Sequence, residues 1–176
     1  DLQLDRQIAI LETLSGLPFA FVEIADDLAD NRGLLVMRDF YEIAWMPRIR
    51  KLVDAIRSLI RTPIQFHCCG RLDPVLPWLA ELGVDVLTPI QAGCNDIYAI
   101  KRAYGHRFCL SGNMAIDGVL AFGTPEEVAA DTRAHIDGLA GDGGYVCASS
   151  HSICDAVPAE NYYSMIRTAM THGRYA

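Results

Sequence analysis

The chain has 176 residues, with 15 Lys+Arg against 22 Asp+Glu and a formal net charge of -7. Apolar residues make up 51% and charged residues 21%, which is the composition of a folded globular unit and excludes a disordered chain. The acidic balance argues against a nucleic-acid surface, which needs clustered Lys and Arg, and no apolar run approaches the roughly 20 residues that span a bilayer.

Nucleic acid and membrane are therefore not expected as partners. No basic-then-apolar opening reads as a signal peptide. The six cysteines are Cys68, Cys69, Cys94, Cys109, Cys147 and Cys154. The first two are adjacent, an arrangement that resists mutual disulfide bonding. With no mark of secretion, the expectation is a reducing, cytoplasmic compartment with free thiols or metal ligands.

In chain order, the first strand-like run is Phe19 to Ala25, and Asp26 and Asp27 follow it. Phe40 to Ile60 places Ile43, Met46, Ile49, Leu52, Val53, Ile56 and Ile60 at helical spacing, one apolar stripe. Pro47 inside it predicts a kink or a break. Pro63 to His67 is the second run and ends at Cys68-Cys69-Gly70. Asp73-Pro74 reads as a helix start. Val84 to Leu87 is the third run and leads to Gln91, and Arg107 to Ser111 is the fourth and leads to Asn113. Thr124-Pro125-Glu126-Glu127 is a capping-box start, with Pro at the first helical position. Gly144 to Ala148 is the fifth run, followed by Ser149, Ser150 and His151, and Val157-Pro158 opens a last helix.

Short apolar runs alternating with helices predict an α/β fold of about five parallel strands joined by crossover helices. A doubly wound sheet would show a glycine-rich phosphate turn after its first strand, and none follows any of these runs. Polar and reactive residues instead collect just after the strands, where a (β/α) barrel builds its chemistry. A complete barrel of this kind has eight strands in about 250 residues, so the reading is the C-terminal part of a TIM barrel. The chain opens on Asp1, and an upstream segment is expected. Closure would need that segment, a separate N-terminal chain or a symmetric partner in a homo-oligomer.

His67 and Cys69 are two apart at a strand end, so both side chains face one side, and an imidazole and a thiolate there are half of a tetrahedral zinc site. His151 and Cys154 are candidates for further ligands. Cys94, Cys109 and Cys147 read as small core residues. His106 and His135 read as solvated, and His172 as a charge-compatible helix end. Asp26 and Asp27 could act as general acid and base, bind a cation, orient a substrate or cap the next segment. Gln91, Asn113 and Ser150 are candidate substrate contacts, and Gln91 and Asn113 could equally satisfy loop backbone.

The motifs run, in order, Asp26-Asp27-Leu28, Phe66-His67-Cys68-Cys69-Gly70, Gly83 to Gln91, Ser111-Gly112-Asn113, Gly123 to Val128, Gly143 to Val146, Ser149-Ser150-His151 and Pro158 to Asn161. Together they resemble the uroporphyrinogen decarboxylase superfamily, closest to its branch related to cobalamin-dependent methyltransferases. The resemblance implies one such domain over residues 1–176, lacking the N-terminal strands of the barrel. It implies a zinc ion that activates a thiol for methyl transfer from a corrinoid on a partner protein. Carried over, the ligands are His67, Cys69 and His151, the last standing where the branch has a later Cys. Gln91 falls near a Glu ligand of the similar cobalamin-independent methionine synthase. Asp26 or Asp27 would hold the polar end of a small-molecule substrate. Two alternatives stand beside this: a metal-free decarboxylase acting on a porphyrinogen, and a non-catalytic truncated barrel module.

Overall fold

The computed structural model describes residues 2–174. Helix α1 (Leu2–Leu14) precedes strand β1 (Val22–Ala25), and a small antiparallel pair follows, β2 (Ala29–Asp30) with β3 (Gly33–Leu34). Next come α2 (Arg38–Phe40), a π-type turn over Tyr41–Trp45, and α3 (Met46–Leu59). Strand β4 (Ile64–His67), helix α4 (Leu76–Leu82), strand β5 (Val86–Thr88), helix α5 (Ile97–Tyr104) and strand β6 (Cys109–Met114) alternate from there. The chain ends through α6 (Val119–Phe122), α7 (Pro125–Leu139), β7 (Tyr145–Ser149) and α8 (Ala159–His172). Strands β1, β4, β5, β6 and β7 form one sheet in that order, every neighbour pair parallel. This is the strand–crossover arrangement of part of a (β/α) barrel.

The register explains which face is buried. Ile24, Phe66, Leu87 and Leu110 lie opposite one another across successive strands, and all four are buried. They pack under α3 and α4, which contribute Met46, Ile49, Leu52, Val53, Ile56, Leu76, Leu79 and Leu82 to the same core. The opposite face carries Glu23, Gln65, Val86 and Cys109 in one row and Ala25, His67 and Thr88 in the next. Glu23 and Ala25 are exposed and the others half-buried. One face is thus dry and helix-covered while the other, which would line a barrel, is wet.

All five predicted strands form, each beginning one to three residues later than its apolar run. The fourth run extends to Met114, so Asn113 lies inside β6 and not after it. Gly112 hides this continuation, because glycine commonly marks a strand's end. Here it has φ +141°, and a Cβ would sit 2.0 Å from the carbonyl oxygen of Pro89. The Pro47 break takes the form of the π-type turn just before α3, with Pro47 in the first turn of α3, where its missing N–H costs nothing. Ile43, on that turn, is 77% exposed, so the stripe starts at Met46. The capping box of α7 forms with both reciprocal bonds. Helix α4 starts at Leu76, after a turn that holds Asp73-Pro74. Helix α1 has no counterpart in the sequence reading, since its apolar face is weak and Leu11 is its one buried residue. No helix among the described residues is long and apolar enough to cross a membrane.

Candidate metal centre

Strand β4 ends on His67, and the next two residues divide between the two faces. Cys68 turns into the core, 1% exposed. Its Sγ accepts the Leu28 N–H at 3.4 Å and donates to the Cys69 carbonyl at 3.2 Å. Burial pushes its thiol up to about 11, so it stays protonated and inert. His67 and Cys69 turn to the other side, as period-2 alternation requires. Cys69 Sγ and His67 Nε2 stand 3.5 Å apart.

Across the β1–β4 ladder, Ala25 is the register partner of His67, and Asp26 N–H donates to the His67 carbonyl at 3.0 Å. Two residues beyond that pair, Asp27 Oδ1 accepts the Cys69 N–H at 2.8 Å. The ligand atoms of Asp27, His67 and Cys69 all lie within 4.8 Å of one another. Burial, then the negative charges of Asp27 and Cys94, raise the Cys69 pKa. A bound divalent cation would reverse that balance.

The loop behind the thiol is braced. Gly70 has φ +79°, and a Cβ there would meet the Ala29 carbonyl oxygen at 2.4 Å, so glycine lets the β2 segment lie against this turn. Gln91 Oε1 accepts the Gly70 N–H at 3.0 Å. Asn95, absent from the sequence-based site, accepts the Leu72 N–H at 2.8 Å and donates to the Gly70 and Gln91 carbonyls at 2.9 Å.

The remaining predicted residues stand elsewhere. Asp26 Oδ2 accepts the Trp45 indole N–H at 2.7 Å and borders a cavity of about 460 Å³ with Gln3, Gln7 and Arg48. Asn113 is 5% exposed, and its Oδ1 lies 3.2 Å from His135 Nε2. His135 is not solvated: its side chain is 12% exposed beside Asp131, with the Tyr98 ring centroid 5.8 Å away. It sits on the face of α7 turned toward β6, and the weak amphipathicity of α7 concealed that. These residues line a groove of about 570 Å³ with Asp96 and Glu127. Ser150 is 2% exposed, and its hydroxyl accepts the Ile116 N–H at 3.2 Å. His151 and Cys154 are exposed after β7, three strands from β4 in sheet order, and neither belongs to the Asp27–His67–Cys69 group.

The open strand–helix alternation and a reactive cluster at the carboxyl ends of the strands define a barrel-type α/β protein. Within that class, the family model for uroporphyrinogen decarboxylase (URO-D) matches residues 19–172, and the chain belongs to that family. A methyltransferase from Methanosarcina mazei has a similar fold, with a TM-score of 0.72 at 21% identity, covering 94% of this chain and 46% of that one. The chain therefore spans about half the length of that protein. No curated protein matches the chain.

Proposed function

We propose that this chain carries the site of a zinc-dependent methyltransferase, one that moves a methyl group between a corrinoid on a partner protein and a small thiol or similar acceptor. The observation that carries this reading is the 3.5 Å separation of His67 Nε2 and Cys69 Sγ. Two tetrahedral ligands bonded to zinc at about 2.0–2.1 Å (nitrogen) and about 2.3 Å (sulfur) stand roughly 3.5 Å apart. The donor set fits zinc, since imidazole and thiolate are its usual ligands. When bound, the ion supplies Lewis acidity that holds an acceptor thiol as thiolate near neutral pH.

The chain's own residues do the positioning. Cys68, anchored in the core, fixes the strand so that its two neighbours face one way. Gln91 and Asn95 hold the Gly70 turn, which stops the thiol from drifting. A metal-free decarboxylase has no use for the His67–Cys69 pair, which is why the metal reading is preferred.

The test is metal content. Purified chain is expected to hold about one zinc, or to take up one when supplied, and His67→Ala and Cys69→Ala are expected to lose it. Methyl transfer from methylcobalamin to an added thiol is then measured with and without chelator. Wild-type chain that neither holds nor takes up zinc would overturn the reading.

A further inference from the structure

We propose that Asp27 is itself a ligand of the ion held by His67 and Cys69, making a nitrogen–sulfur–oxygen set drawn from two neighbouring strand ends. The inference rests on the metal reading above and adds to it the identity of the third ligand.

The geometry comes from the sheet register. Pairing Ala25 with His67 sets Asp27 beside Cys69 two residues further on, and the 2.8 Å bond from the Cys69 N–H to Asp27 Oδ1 ties the carboxylate to the backbone that bears the thiol. Among the described residues, Oδ2 accepts no hydrogen bond, and Asp27 has no Lys or Arg partner. The carboxylate, the imidazole and the thiol bring their ligand atoms within 4.8 Å of one another, the spacing at which one divalent ion can be shared by all three.

The other candidate donors are committed elsewhere. Gln91 Oε1 accepts from Gly70. The Cys68 sulfur faces the core. Cys94 Sγ points to the Gln91 carbonyl at 3.7 Å. His151 lies beyond β7, outside the cluster. A neutral imidazole with two anions leaves a divalent ion formally uncharged, whereas His151 in place of Asp27 would leave it at +1.

Cobalt(II) and zinc are the probes. The metal-free chain is titrated with Co²⁺ and followed by visible absorption, and zinc affinity is read by competition with a chelating dye. Asp27→Asn can still accept from the Cys69 N–H, so it removes the charged donor while keeping the brace. It is expected to weaken zinc binding at least tenfold and to alter the Co²⁺ d–d bands, while thiolate-to-cobalt charge transfer persists. Asp27→Glu is expected to stay within a few-fold of wild type, and His151→Ala to match it. Circular dichroism establishes that each variant is folded.

If Asp27→Asn keeps wild-type affinity and spectrum while His67→Ala and Cys69→Ala lose the metal, the Asp27 assignment falls and the metal reading stands. Loss of affinity in His151→Ala but not Asp27→Asn would overturn the assignment in favour of His151. A wild-type chain that binds neither metal overturns both.

Discussion

Cys68 and Cys69 are neighbours in sequence and opposites in chemistry, because one faces the packed side of β4 and the other the wet side. With its thiol pushed up to about 11 by burial, Cys68 has a thiolate fraction of roughly one in a thousand at pH 8. Iodoacetamide at pH 8, read by mass spectrometry on the folded chain, is expected to label the exposed Cys154 first and to spare Cys68. Early labelling of Cys68 would mean that the strand end opens. A second residue-scale prediction concerns His135. Burial works to lower its pKa, but the Asp131 side chain and carbonyl outweigh it and the net shift is upward. Both ring nitrogens face acceptors, the Asp131 carbonyl at 2.9 Å and Asn113 Oδ1 at 3.2 Å, with Tyr98 as the neighbour from α5, so the ring takes up a proton more readily than a free imidazole. A raised folded pKa stabilises fully below the unfolded value of about 6.5, and the gain disappears as pH rises through the folded pKa. Denaturant titrations of wild type and His135→Gln are thus expected to differ most at pH 5–6 and to converge at higher pH. A difference independent of pH would contradict this.

At the scale of elements, the turn after β4 is the most constrained piece. Gly70→Ala places a Cβ 2.4 Å from the Ala29 oxygen at φ +79°, a combination expected to cost about 3 kcal/mol or more. Gly141→Ala, with nothing within 4 Å, is the control and should leave the thermal midpoint nearly unchanged. Thr124→Ala removes one half of the capping box and should cost about 1 kcal/mol in the same measurement. The elements were legible where local chemistry decides them. Buried parallel strands read as apolar runs, and Thr124-Pro125-Glu126-Glu127 announces α7 by its own hydrogen bonds. They were illegible where tertiary contact decides. The strand passes through Gly112 because the Pro89 carbonyl leaves no room for a side chain, and α1 is held by packing on α3 despite a weak stripe of its own.

Among the described residues the main sheet has five strands, one face covered and the other wet. His67 and Cys69 were readable as a pair because period-2 geometry needs only one strand. Asp27 was visible as an acid after a strand, but its place against Cys69 depends on the β1–β4 register, which no local signal carries. Ser150 and His151 follow β7, and where that strand end falls relative to β4 depends on the curvature of the entire sheet. The same sheet makes a prediction about its edges. Within the described residues, β1 and β7 each have a single sheet neighbour. Val22 and Asp26 donate their N–H groups to β4, while Ser150 donates to β6, so by parallel-strand alternation the amides of Glu23, Ala25, Cys147 and Ser149 point away from the sheet. In the isolated chain these amides should exchange with deuterium faster than the amide of Leu87 on central β5 by about two orders of magnitude or more. Hydrogen exchange followed residue by residue decides the matter. If Glu23 and Ala25 prove as slow as Leu87, the β1 edge is covered in solution, and the sheet continues into another segment or chain across it.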